Sequence, residues 1–388
     1  MAEENPRARR GADRGWGQRA TAYSRWRSAE GIPIYTGSHV GDLHTAEVAP
    51  WPRIGQRGAI VNLAAQEQND GWLVEIAPGG HTEPIRHLFE TSYYVLEGRG
   101  ATAIWQPGSD RKQTVEWGPG SLFSPPVNCS YQHFNLDGQR PARLFSPTTA
   151  PLLMNALQDS ELVFSSDWVF RDRYNREDDY FTNPGRKIDT REWQTNFIPD
   201  VRGFKLEDRR ERGAGSSIMF FLMSGNGMNI HISEFPPGMY KKAHRHGPGA
   251  EIIILGGVGY SLLWLEGDTE RVKVDWKEGS VFSPLGGQYH QHFNTGLQPA
   301  RYLAYTFGGL VVSNTLAMAN SAAMSENEGG WQIEYADEDP EIFELFQREC
   351  VRHGARVSPD HPRLLPSPQR GEGSFGIPSP RAEGRGRG

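Results

Sequence analysis

Gly238-Met-Tyr-Lys-Lys-Ala-His244-Arg-His246-Gly-Pro-Gly-Ala-Glu251 is the stretch from which the fold can be read, because its frame occurs twice in the chain. Further on come Gly279-Ser-Val-Phe-Ser-Pro284 and His290-Gln-His292-Phe-Asn294. Subtracting a constant 159 (246 − 87) sets Gly238 on Gly79, His246 on His87, Leu255 on Leu96, and Gly257 and Gly259 on Gly98 and Gly100. The same offset sets Trp264 on Trp105, Trp276 on Trp117, Phe282-Ser-Pro284 on Phe123-Ser-Pro125, and Gln291-His-Phe-Asn294 on Gln132-His-Phe-Asn135. No gap is needed, and the period is too long for a solenoid, so each copy reads as a domain.

Within each copy, short Val/Ile/Tyr/Phe/Trp runs alternate with Pro-Gly and Gly-x-Gly turns, the pattern of antiparallel strands in a small barrel or jelly roll. The runs are 72–76, 92–96, 101–105 and 114–117 in the first copy, and 229–235, 251–255, 260–265 and 271–276 in the second. A content of 45 glycines and 27 prolines in 388 residues agrees with a turn-rich β protein. That length exceeds one small core, so two domains with flanking segments are expected. The reading divides the chain into an N-terminal arm (1–55), a first barrel (56–158), a linker (159–215), a second barrel (216–315), a C-terminal segment with a helix (316–357) and a disordered tail (358–388). Ile342, Leu345, Phe346 and Cys350 carry the helical spacing after Asp339-Pro340.

A net charge of −6 supplies no field to hold a polyphosphate, which argues against nucleic acid as a partner. Cys129 and Cys350 form no paired motif and suggest a reducing compartment. Neither a membrane-length apolar run nor a signal-peptide core is visible, so a cytoplasmic location is expected.

His244 and His246 alternate with Arg245 and therefore share one strand face. With Glu251 after a short turn and His290 on a later strand, four side chains can converge on a divalent first-row ion, leaving positions for water, dioxygen or substrate. The first copy has Ile85, His87, Ser92 and Tyr131 at the four places, so it is expected to be a metal-free packing and dimerisation partner. An irregular site built from His81, Glu83, Glu90 and His133 beside His87 is the alternative. His133 persists in the copy that lost its ligands, so its counterpart His292 reads as structural or as a hydrogen-bond partner at the pocket wall. Arg245 and Gln291 are expected to face away from the interior, and Lys241 and Lys242 to lie solvated at the mouth. Tyr260, Trp264 and Gln288 are the candidate pocket lining.

These motifs resemble the cupin superfamily, whose first signature is G(x)5HxH(x)3-4E(x)6G and whose second is a histidine followed four residues later by asparagine. Gly238, His244, His246 and Glu251 fit the first, and His290 and Asn294 the second. Gly257 and Gly259 fall one place to either side of the usual glycine, and the proline after Gly279 comes one residue early; in this reading neither moves a ligand. The resemblance covers roughly residues 60–315 and implies an all-β fold of two tandem cupin (double-stranded β-helix, jelly-roll) barrels with a few flanking helices.

It further implies a metal-dependent enzyme, with Fe(II) the first choice of ion and Mn(II) the next. The leading expectation is a dioxygenase that cleaves an anionic hydroxylated aromatic acid, with His244, His246 and His290 as fixed ligands and Glu251 as ligand or base. A Mn(II)-dependent decarboxylase, isomerase or aminohydrolase, favoured by a fourth ligand, and a non-enzymatic binding cupin are the alternatives. Gentisate-type enzymes usually carry three histidines in the N-terminal barrel, which sets this chain apart from them. Cupins commonly pair through sheet edges, so a homo-oligomer is expected.

Overall fold

Alternation along the strands builds two stacked barrels with a shared core. In Met228–Phe235, Met228, Ile230 and Ile232 face the other barrel, while Ser233 and Phe235 face the interior of their own. The computed structural model describes residues 20–65, 68–247, 250–307 and 322–365. The first part of the expected arm (1–19) and most of the expected tail (366–388) lie outside the described residues. Among the described residues no helix is long and apolar enough to cross a membrane.

Each barrel has one large, mainly antiparallel sheet and one small antiparallel sheet. The first large sheet centres on Asp70–Ile76, Ala142–Thr148 and Tyr93–Glu97, and its small sheet is Ser130–Asn135, Gly100–Trp105 and Gln113–Trp117. In the second barrel the corresponding strands are Met228–Phe235, Ala300–Phe307 and Ala250–Gly256, against Tyr289–Asn294, Val258–Trp264 and Val272–Lys277. Outer faces of the two large sheets meet in one apolar layer, where Leu73, Tyr94 and Phe145 pack with Ile230, Ile253 and Leu303. Glu90 ties the barrels together, its carboxylate accepting from the backbone N–H groups of Gly227 (2.7 Å) and Met228 (2.8 Å).

The repeated motif residues have local reasons. Gly100 and Gly259 lie where a Cβ would collide with the carbonyl of Phe134 or Phe293 and with the ring of Trp117 or Trp276. Asn135 and Asn294 pin the turn that follows them, donating to the carbonyls of Arg140 (2.8 Å) and Gln298 (2.9 Å).

The segments read as arm and linker take part in the sheets. His39–Val40, from the arm, pairs with Val281–Phe282 at an edge of the second barrel. Phe197–Ile198, from the linker, pairs with Leu122–Phe123 at an edge of the first. The same serine fastens each exchanged segment: Ser280 Oγ donates to Gly41 O (2.6 Å) and Ser121 Oγ to Pro199 O (2.8 Å). Arg186–Asp189 and Glu192–Gln194 extend the second large sheet. Helix Ala22–Ala29 puts Tyr23 and Trp26 into the core of the first barrel. Helix Pro340–Arg352, capped by the Asp339 carboxylate, lays Ile342, Phe346 and Cys350 over the small sheet of the second.

Candidate metal centre

The strand Tyr289–Asn294 lies beside the backbone at residue 244, with His244 N–H donating to His290 O at 3.2 Å and His290 N–H returning 2.9 Å to His244 O. That bridge sets the two imidazoles 4.1 Å apart between ring centroids, and the His246 ring lies 5.5 Å from His244 and 4.8 Å from His290. One nitrogen of each falls within 4.8 Å of the others, and among the described residues this is the one group of three or more side chains that could hold a metal.

Protonation suits a metal. Nδ1 of His246 lies 2.8 Å from the Gly247 carbonyl and Nδ1 of His290 3.1 Å from that of Gln288. A carbonyl only accepts, so each Nδ1 carries the hydrogen and each Nε2 keeps its lone pair. Nδ1 of His244 is buried without a hydrogen-bond partner. Burial pulls His244 and His290 well below the usual histidine value, reinforced by Arg212 at His244 and by His246 at His290, so both are neutral near pH 7.

Glu251 is placed elsewhere. Within Ala250–Gly256, Ala250, Ile252 and Ile254 face the barrel interior, whereas Ile253 and Leu255 belong to the layer between the barrels. Glu251 shares their face and pairs in register with Tyr305, which lies in the same layer. The carboxylate is fully buried, neither oxygen has a hydrogen-bond partner, and burial, then Asp70, push it well above its usual value. The inward place next to the turn is Ala250. A signal for this was present in the spacing, since Gly257 stands seven residues after Ala250, the separation the motif expects of its acidic residue.

The pocket residues divide in the same way. Ser261 and Leu263 face in, while Tyr260 and Trp264 face out. Tyr260 stacks on Phe293 (4.5 Å between centroids) beneath the C-terminal helix, and Trp264 stacks on Tyr289 (5.5 Å). Both belong to the packing of the outer face rather than to a pocket. Gln288 does line a cavity of about 600 Å3, together with Leu263, Val272 and Leu285 of the second barrel and Tyr23 and Arg27 of the first helix. Leu263 is paired in register with His290, which brings this cavity to the wall of the imidazole cluster. Neither Tyr23 nor Arg27 carried a sequence signal for that place.

Lys241 lies inside the barrel instead of at its mouth. It is 4 % exposed, and its Nζ donates to Ser233 Oγ and to Tyr302 OH (2.9 Å). Lys242 pairs with Glu334 at 2.5 Å, and Arg245 with Glu266 at 2.5 Å. Gln291 faces outward but is buried, donating to Glu338 at 3.1 Å.

In the first barrel Tyr131 occupies the place of His290, and its hydroxyl lies 2.7 Å from His87 Nε2 and 3.0 Å from Tyr93 OH. Burial pulls His87 down to about 3. Of the off-frame groups, His81 and Glu83 are exposed and Glu90 is engaged between the barrels.

His133 and His292 make one and the same arrangement. Nδ1 of His133 bonds Thr102 Oγ1 (2.7 Å), to which Trp117 Nε1 donates (2.9 Å); Nδ1 of His292 bonds Ser261 Oγ (2.8 Å), to which Trp276 Nε1 donates (3.0 Å). A buried ring held this way braces the small sheet. His133→Ala is therefore expected to cost about 2 to 4 kcal/mol of stability in chemical denaturation, with bound metal unchanged in elemental analysis of the same preparation.

No protein-family description matches the chain, and no curated protein matches it in sequence. Among solved structures, oxalate decarboxylase from Lactobacillus farciminis is 14 % identical with a TM-score of 0.47, covering 80 % of this chain and 96 % of its own. Salicylate 1,2-dioxygenase from Pseudaminobacter salicylatoxidans is 12 % identical with a TM-score of 0.46 (65 % and 74 % covered). Vicilin from hazelnut, Corylus avellana, is 11 % identical, also at 0.46 (70 % and 86 % covered). Two large-and-small-sheet barrels in tandem, repeated in frame, with a histidine cluster inside the second, make the chain a bicupin in fold.

Proposed function

We propose that the second barrel is a mononuclear Fe(II) centre and that the chain is a dioxygenase opening the ring of a hydroxylated aromatic acid of the salicylate or gentisate kind. The observation that carries this reading is a cluster of three imidazoles that no carboxylate joins among the described residues. Three neutral ligands leave the full charge of a divalent ion and several coordination positions to an anionic substrate. Bound Fe(II) would supply a Lewis acid for adjacent hydroxyl and carboxylate oxygens and a route for electrons to dioxygen.

The chain's own residues do the rest. His244, His246 and His290 hold the ion, the last two with Nδ1 fixed on backbone carbonyls. Leu263, Val272, Leu285 and Tyr23 offer an apolar wall to a ring. Ser261 and Trp276 hold His292 behind the cluster, so that the ring of His290, 5.5 Å from it, rests on a fixed neighbour.

The redox-neutral Mn(II) alternative drew on a fourth, anionic ligand, and Glu251 lies across the strand from the cluster. The test is dioxygen consumption by anaerobically iron-loaded protein supplied with salicylates, gentisate and catechols. One dioxygen taken up per substrate consumed is expected with at least one of the acids. Absence of uptake with every compound would sink the ring-cleavage reading.

A further inference from the structure

Buried charges in proteins are paired, because an uncompensated ion loses its hydration and gains nothing in return. Two basic side chains of the second barrel are buried without such a partner among the described residues. Lys241 is 4 % and Arg212 8 % exposed, and among the described residues neither has a carboxylate within 4.0 Å. The stretch 308–321 carries no acidic side chain either. Arg212 donates to Ala322 O and to Gln332 Oε1 (3.2 Å), and the backbone of Gln332 bridges that of His244. Lys241 reaches Ser233 and Tyr302, and its own N–H donates to His292 O at 3.0 Å. The two residues are tied together through Lys242 N–H, which donates to Arg212 O at 2.9 Å. The nearest acidic neighbour in sequence, Glu211, is engaged with Arg191 and Arg209.

We propose that Lys241 and Arg212 form a carboxylate subsite beside the imidazole cluster, and that they restrict the second barrel to acids. This rests on the proposal that the second barrel binds a hydroxylated aromatic acid, and it names the side chains that meet the carboxylate. An arriving carboxylate supplies a counter-charge that no described residue supplies. Burial, with Arg212 and Arg209 near by, pulls the Lys241 amine well below its usual value, and an anion beside it opposes that shift by favouring the ammonium form. Tyr302 OH and Ser233 Oγ are already placed to share the lysine. Lys241 and Arg212 act here as specificity determinants, separate from the metal ligands.

Calorimetric binding to the full-length protein tests this with two matched pairs, salicylate against salicylamide and benzoate against benzamide, on metal-loaded and chelator-stripped samples. The acids are expected to bind at least about 10-fold more tightly than the amides in both samples. Lys241→Met and Arg212→Met are each expected to weaken the acids by about 10- to 100-fold, leaving the amides and metal content unaltered. Lys241→Arg and Arg212→Lys keep the charge and retain most of the acid affinity. Lys242→Met, at a residue already paired with Glu334, changes neither class. Equal affinity of wild type for acid and amide would overturn the subsite, as would an acid preference that vanishes with the metal or an equal loss in Lys242→Met. Dioxygen uptake is not needed for any of these readouts, so acid-selective binding without turnover would remove the ring-cleavage reading and keep the subsite. Turnover undiminished in both methionine variants would do the reverse.

Discussion

His290→Ala is expected to empty the second barrel of metal. His290 joins the cluster from the strand Tyr289–Asn294, and its ring is aimed by the 3.1 Å contact of Nδ1 with Gln288 O. Alanine leaves two imidazoles, His244 and His246, which stand close together on one chain segment and cannot surround an ion from opposite sides. Loss of a supporting partner alone typically weakens metal binding 10- to 100-fold, so loss of the ligand itself is expected to exceed about 100-fold. Elemental analysis after dialysis gives one readout, and thermal stability gives a second. An ion present at about 1,000 times its Kd adds about 4 kcal/mol to a folded protein, so the melting temperature of wild type should rise with added Fe(II) or Mn(II) while that of His290→Ala stays flat. A variant that retains its metal would remove the cluster from consideration.

Glu251→Met is expected to act in the opposite sense, making the protein more stable with its metal intact. The carboxyl lies between the barrels with both oxygens unpartnered, and its native pKa is pushed well above the usual carboxylate value, first by burial and then by Asp70. Methionine fills a similar volume without a polar group to desolvate, and a gain of about 1 to 3 kcal/mol is expected. The pH dependence follows from the direction of the shift. The native protein holds this proton more tightly than the unfolded chain, so stability is greatest in acid and falls as pH rises from the ordinary carboxyl value, near 4.5, to the raised native one. Asp70, raised by burial to about 6, adds a slope of the same sign. Denaturation across pH 4 to 9 should show a flatter profile in Glu251→Met than in wild type. If bound metal falls with this substitution, Glu251 is a ligand after all, and the three-imidazole account is wrong.

The strands, the repeat and the three histidines were legible because each leaves a periodic mark: glycine at a place with no room for Cβ, alternation within a strand, and a ligand pair two residues apart. The face of Glu251 was not. Its inward orientation was counted across the turn between His246 and Ala250, and a turn does not preserve alternation; a slip of one residue moves the whole strand to the other face. Tyr260 and Trp264 misled for a different reason. The small sheet of the second barrel is covered by helix Pro340–Arg352, so both of its faces are apolar and hydrophobicity no longer separates inside from outside. Lys241 looked solvated because adjacent lysines usually are, and nothing local reveals that Ser233 and Tyr302 converge on one of the two.

The exchanged edge strands bear on how this chain can come into being. The bond from Ser280 to Gly41 spans 239 positions, and His39–Val40 finds its partner strand only at Val281–Phe282. During synthesis the N-terminal strand must therefore wait, unpaired, until the second barrel has almost entirely emerged, and ordering it then closes a very long loop. Phe197–Ile198 has the shorter wait, since its partner at Leu122–Phe123 has already been made. A gene cut between the two barrels would leave each product with an edge whose mate is on the other piece, so the halves are expected to aggregate apart and to recover only when expressed together.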